Sequence, residues 1–203
     1  MLKKIYFTFL FLLTTFLVNS QVVINEYSAS NFDSHLDNYG EYEDWVELYN
    51  TTNSDIDLNG WSLTDKPSNL SKWSFPGSFI VSANSVAIVY CSGLNELVGG
   101  VAHTNFKITQ TKAGEVFVLS DASGNIVDSA RAVPAQKSHS RGRDINGGTT
   151  WSVFTTATPN TNNSGAMLEY APLPIFSQSS GYYSAPFDLT LSCLFLHNAM
   201  SSI

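Results

Sequence analysis

Beyond residue 20 the chain alternates apolar and polar positions in short runs, and no stretch carries the 3.6-residue period of an amphipathic helix. Residues 22–27 (VVINEY) open the series. In 44–50 (DWVELYN), Asp44, Val46 and Leu48 fall on one face of a strand, and Trp45, Glu47 and Tyr49 on the other. Further runs follow at 56–58, 61–63, 73–77, 79–81 and 86–91; the last is the most apolar and is expected at the centre of a sheet. A weaker run occupies 105–108. Asn59-Gly60 predicts a tight reversal, and Asp121-Ala122-Ser123-Gly124 a hairpin turn between 115–120 and 125–132. Runs at 138–143 and 151–154 complete the set. Short strands separated by Gly, Pro and Asn predict an all-β sandwich. The polar tract 155–165 (TTATPNTNNSG) offers nothing to bury, so it is expected to end the sandwich and begin a linker.

The first twenty residues differ in kind. Met1-Leu2-Lys3-Lys4 precedes an apolar run over 5–18 and a small residue at Ser20, the layout of a secretory signal peptide. The run is too short for a comfortable membrane span, which takes about 20 residues. The expected organisation is therefore a signal peptide (1–20), a sandwich (21–157), a linker (158–173) and a short C-terminal β segment (174–203). No membrane span remains after cleavage, and the product is expected outside the cell or at its surface. Export also permits a disulfide between the two cysteines, Cys91 and Cys193. The alternative is a buried free thiol at Cys91.

Charge sharpens the picture. The chain carries a formal net charge of −7, and residues 25–65 hold ten carboxylates without one Lys or Arg. Such a surface disfavours nucleic acid, whose binding relies on neutralising phosphates. Crowded carboxylates must be solvated, spread apart or neutralised by a cation.

Several motifs in this acidic block resemble a known family. Asn25-Glu26, Glu41-Tyr42-x-Asp44-Trp45-Val46-Glu47-Leu48-Tyr49-Asn50 and Asp57-Leu58-Asn59-Gly60-Trp61-Ser62-Leu63 are similar to the lamin tail domain in its bacterial secreted form. Trp73-x-Phe75-Pro76, Val118-Leu119-x-Asp121-x-x-Gly124-x-x-Val127-Asp128 and Ala157-Thr158-Pro159 follow in the family's order, so the resemblance covers about 21–163. It implies an immunoglobulin-like β-sandwich, an accessory module of exported multidomain proteins and no catalytic residues. A second resemblance, from Pro174-Ile175-Phe176-Ser177 through Gly181-Tyr182-Tyr183-Ser184-x-Pro186-Phe187 to Ser192, is to the opening strands of a chitobiase/β-hexosaminidase C-terminal type of module. Its continuation is missing, which implies a fragment of a longer protein.

Candidate chemistry is sparse. Ca²⁺ wants several oxygen ligands, and Glu26, Asp44 and Glu47 are the leading candidates, with Asn31, Asp33, Asp37 and Glu41 nearby in sequence. Asp44 stands out because alternation sets it on the Val46–Leu48 face, where an unpaired charge is costly. The competing reading is a solvated rim. Asp55-x-Asp57-x-Asn59-Gly60 has the first half of a calcium loop, but Lys66 stands where the bidentate Glu is needed. Lys137, His139, Arg141 and Arg143 share a strand face, either for a polyanion or to balance the acidic side. Trp45, Trp61, Trp73 and Trp151 suit inter-sheet packing better than a sugar platform. His35 and His103 read as loop residues without a partnered nucleophile. Glu43 and Glu47 lack any sign of a cleft that would make them a glycosidase pair. These residues describe a non-catalytic, exported, monomeric module that meets a protein or glycan at the cell surface. The alternatives are a docking appendage of an exported enzyme and a carbohydrate-binding module.

Overall fold

The computed structural model describes residues 21–109, 115–171 and 173–192; the expected signal peptide and Cys193 lie outside the described residues. In chain order the strands are β1 (Val22–Ser28), β2 (Trp45–Asn50), β3 (Ile56–Asp57), β4 (Ser62–Thr64) and β5 (Trp73–Ser74). They continue as β6 (Ile80–Val81), β7 (Val86–Tyr90), β8 (Glu96–Val98), β9 (Val101–His103) and β10 (Val116–Ser120). The last five are β11 (Ile126–Arg131), β12 (Ser140–Arg143), β13 (Trp151–Phe154), β14 (Ile175–Phe176) and β15 (Leu191–Ser192). No helix occurs among the described residues.

A seven-stranded sheet, β13-β12-β1-β2-β7-β9-β8, faces a four-stranded sheet, β11-β10-β4-β5. This is an immunoglobulin-like β-sandwich. Alternation explains the shared core: Val22, Ile24, Tyr27, Val46, Leu48 and Val89 point inward from the large sheet. They meet Leu63, Trp73, Phe117 and Leu119 from the small one. Cys91 is fully buried in this core without a disulfide partner among the described residues, and burial pushes its pKa well above the ordinary value.

One end of β1 ties the sheets together. A β-bulge between Ile24 and Glu26 shifts its register against β2, and β12 pairs only with Glu26 and Tyr27. The Ile24 N–H and carbonyl therefore need other partners. The N–H donates to Asp128 Oδ2 at 2.7 Å, and the carbonyl accepts from Arg143 Nε at 2.8 Å. Arg143 Nη2 closes the triangle on Asp128 Oδ2 at 2.9 Å. Beside it, the Tyr27 hydroxyl donates to the Arg131 carbonyl at 3.0 Å and accepts the Val133 N–H at 2.9 Å.

Two turns form as the residues require. Gly60 takes φ +79° where the Trp61 N–H reaches the Leu58 carbonyl, and Gly124 takes φ +82° where its N–H reaches the Asp121 carbonyl. Asp57 accepts the Asn59 and Phe79 N–H groups and Asp55 the Ala83 N–H, so the carboxylates of the calcium half-motif serve a turn and its packing on the segment around β6.

Three expectations change. The hairpin β8–β9 was not anticipated, and β9 runs parallel to β7. The expected run at 105–108 makes a single bridge, Lys107 to Ser92. There Thr104 Oγ1 donates to the Phe106 carbonyl at 2.6 Å, and this local bond competes with a ladder. Phe106 and Ile108 are nevertheless buried in the core.

The third change concerns the tract expected to be an unburied linker. It folds back over the large sheet, Asn163 is buried, and Met167 bridges Val153 with hydrogen bonds in both directions. Sandwich contacts continue through the Arg141–Glu169 ion pair to Tyr170, whose hydroxyl accepts the Gln136 N–H. Beyond it, β14 and β15 form a separate two-stranded hairpin with exposed side chains.

Asp128→Ala should leave the Ile24 N–H unpaired and strip the largely buried Arg143 guanidinium of its counter-charge. The expected loss is about 2–4 kcal/mol, read as a lower urea midpoint at unchanged slope. Asp128→Asn, which keeps an acceptor, should lose less.

Candidate functional site

The bulge in β1 also places Glu26 directly opposite Glu47 of β2. Both point away from the inter-sheet core, and both are fully buried. The cover comes from the tract at 157–163. Thr158 donates its N–H to Glu26 Oε1 at 2.9 Å and its hydroxyl to Glu26 Oε2, while the Ser140 hydroxyl donates to Oε1. Glu47 Oε1 accepts from Asn25 Nδ2 at 3.0 Å, and its Oε2 from the Asn160 N–H at 2.8 Å. Asn163 joins the cluster by accepting from Asn25 Nδ2 at 3.0 Å. Gly142 makes room for it: a Cβ there would lie 2.9 Å from Glu26 Cγ and 3.0 Å from the Asn25 carbonyl.

Burial dominates the electrostatics. It pushes Glu47 up to about 8, helped by the neighbouring Glu26 and opposed by the Asn25 and Asn160 donors. Burial also raises Glu26 against the hydrogen bonds from Ser140 and Thr158. Glu47 is therefore mostly protonated at neutral pH, which relieves the repulsion of two carboxylates in one dry site.

Asp44 has different neighbours. Its carboxylate accepts the Asn31 N–H at 2.9 Å, and burial raises it to about 6 against that bond. The structure thus brings Glu26 and Glu47 together but leaves Asp44 on the opposite side of the strand from Glu47. The oxygens of the pair are occupied by the protein's own donors. Among the described residues, no group of three or more His, Cys, Asp or Glu is placed to hold a metal ion. Asp37 Oδ1 is occupied by the Tyr39 and Glu41 N–H groups, and Asp33 by Ser138 and Lys137.

A second polar cluster was missed. His103 is on β9 and fully buried, not in a polar loop, and it does have a hydroxyl partner. Its Nδ1 lies 3.0 Å from Ser92 Oγ and its Nε2 2.7 Å from Asn38 Oδ1. With Asn38 Oδ1 accepting, Nε2 carries the proton and Nδ1 accepts from Ser92. The residue types suggest a hydrolytic triad, yet Ser92 is buried and its oxygen also accepts the Leu94 N–H at 3.2 Å. Tyr90 stacks on His103 at 5.3 Å and on His35 at 6.0 Å, and its hydroxyl lies 3.0 Å from His35 Nε2. Burial lowers the His35 pKa. The cluster anchors the loop between β1 and β2 onto the large sheet. Chain distances such as the 65 residues between Asn38 and His103 hid it from sequence reasoning.

The basic face proves engaged. Lys137 pairs with Asp33, Arg141 with Glu169 and Arg143 with Asp128, while His139 Nδ1 lies 2.9 Å from the Tyr170 hydroxyl. The tryptophans are packing residues: Trp45 and Trp73 are buried, and Trp61 and Trp151 lie against the core.

Two outcomes follow from the carboxylate pair. The Glu47 proton is retained in the folded state after the unfolded chain, with a side-chain pKa near 4.5, has lost it. Stability should therefore fall as pH rises from about 4.5 to about 8, by up to about 1.4 kcal/mol per unit, and level off above. In Glu47→Gln, urea melts at pH 5, 7 and 9 should show a markedly flatter profile, with a residual slope from Glu26 and Asp44. Gly142→Ala should cost about 1–3 kcal/mol by overpacking against Glu26, read from the thermal midpoint.

Comparison with known proteins agrees with this architecture. No curated protein matches the chain significantly. The likeness of residues 174–192 to a chitobiase-type module finds no support. The family model described as Lamin Tail Domain matches residues 18–133, more than half of the chain. Its members are immunoglobulin-like, non-enzymatic domains, and this sandwich shares the immunoglobulin-like architecture. The chain belongs to the lamin tail domain family.

Proposed function

We propose that this chain is a non-catalytic binding or spacer module of a larger multidomain protein, exported to the cell envelope or beyond it. The observation that carries the reading is how its polar chemistry is used. Ser92 and His103, with Asn38 capping the histidine from the loop, and the buried Glu26–Glu47 pair are spent on holding loops, while the loop between β1 and β2 turns Leu36, Tyr39 and Tyr42 outward. Rigid scaffolds that display loop side chains suit recognition. Export is supported by the basic start, apolar run and small residue within 1–20. A net charge of −7 argues for a protein or glycan partner over nucleic acid.

A docking role beside an exported catalytic domain is the second reading. The apolar side chains exposed on the β14–β15 hairpin, Ile175, Phe176, Leu189 and Leu191, favour it. The test is fractionation of cells expressing the full chain, with the intact mass of the product measured. The expected product lies outside the cytoplasm and begins at Gln21. A cytoplasmic product retaining Met1 overturns the reading.

A further inference from the structure

The loop between β1 and β2 and the β8–β9 hairpin meet at one end of the sandwich. The Tyr39 hydroxyl donates to Glu96 Oε1 at 2.6 Å, and the Tyr90 hydroxyl donates to the Leu36 carbonyl at 3.1 Å. Lys107, bridged to Ser92, contacts Glu43 through both carboxylate oxygens at 3.0 and 3.1 Å. These ties gather Leu36, Tyr39, Tyr42 and Leu94 around the same segment, with between 46 and 53 % of each exposed. Glu41 and Glu96 stand among them, and neither has an ion-pair partner among the described residues. Lys107, the cation of this rim, is already committed to Glu43.

We propose that this surface docks a cationic segment of a protein partner, one carrying Lys or Arg beside an apolar side chain. The reading deepens the binding-module function above and rests on it. Three features determine the partner's chemistry. Exposed leucines reward apolar burial, and the Tyr39 and Tyr42 rings can accept a guanidinium or ammonium over their faces. Unpaired carboxylates complement positive charge, and the net acidity of the chain steers such a partner inward while repelling a second copy. The loop is also held before binding: His103 reaches Asn38, and the Tyr39 ring lies 5.6 Å from His103, so little ordering remains to be done. A compact group of aromatic and aliphatic anchors is the usual size of an energetic centre in an interface.

The test is a titration of the full chain with a labelled peptide alternating Arg and Leu, followed by fluorescence anisotropy and by amide chemical shifts. Controls replace Arg by Glu, or Leu by Ser. The Arg–Leu peptide should bind, weaken with added salt, and shift amides around Leu36, Tyr39, Tyr42 and Leu94. Glu41→Lys combined with Glu96→Lys should weaken binding by about tenfold or more. Leu94→Ser, a change at an exposed position, should weaken it separately, with thermal melts confirming that both variants fold. No binding at low salt, equal binding of the Glu–Leu peptide, shifts confined elsewhere, or a concentration-dependent dimer that covers this face would each overturn the proposal. Export of a product beginning at Gln21 together with a blank titration removes this surface alone and leaves the module reading standing.

Discussion

Everything on the outer face of the large sheet depends on keeping two buried carboxylates supplied with donors. Ionised acids out of water are costly unless hydrogen-bonded or neutralised. The bulge at Asn25 sets Glu26 and Glu47 side by side, so each needs more donors than the neighbouring strands alone provide. Thr158 and Asn160 bring donors from a tract far along the chain, Ser140 and Asn25 supply the rest, and Asn163 holds Asn25 in place by accepting from its amide. That requirement fastens residues 157–163 to the sheet. It also explains why Gly142 occupies the crowded place beside Glu26.

The same bulge governs the opposite side of β1. Because β12 leaves the Ile24 peptide unpaired, Asp128 and Arg143 fill the gap, and in doing so they link the two sheets. Local backbone irregularity, burial of charge and inter-sheet closure are thus one problem with one solution. The acidic character of residues 25–65 is correspondingly divided: Glu26 and Glu47 serve the architecture, while Glu41 remains at the surface.

What could be read beforehand was whatever lies in local alternation and turn chemistry. Asp44–Leu48 periodicity, the Asn59-Gly60 reversal and the Asp121–Gly124 hairpin are all set within a few residues, and the strands follow them. The two-layer core follows from the same alternation. The sites are different in kind. Glu26 meets Thr158 across 132 residues, and His103 meets Asn38 across 65, so no spacing rule connects them. The polar tract misled for a related reason: Asn and Thr read as solvated linker residues, whereas here their side chains and N–H groups are the donors that buried acids require. The β8–β9 hairpin escaped because Gly99-Gly100 interrupts two runs of only three residues each.

Cys91 closes the picture. Its sulfur sits amid the sandwich interior, fully enclosed and with a thiol held in its unreactive protonated form by the apolar surroundings. Oxidants and alkylating reagents meet a nucleophile only when the two layers part. The residue is therefore a built-in reporter: its rate of chemical capture registers how often the domain breathes open, and anything that binds the closed form slows it.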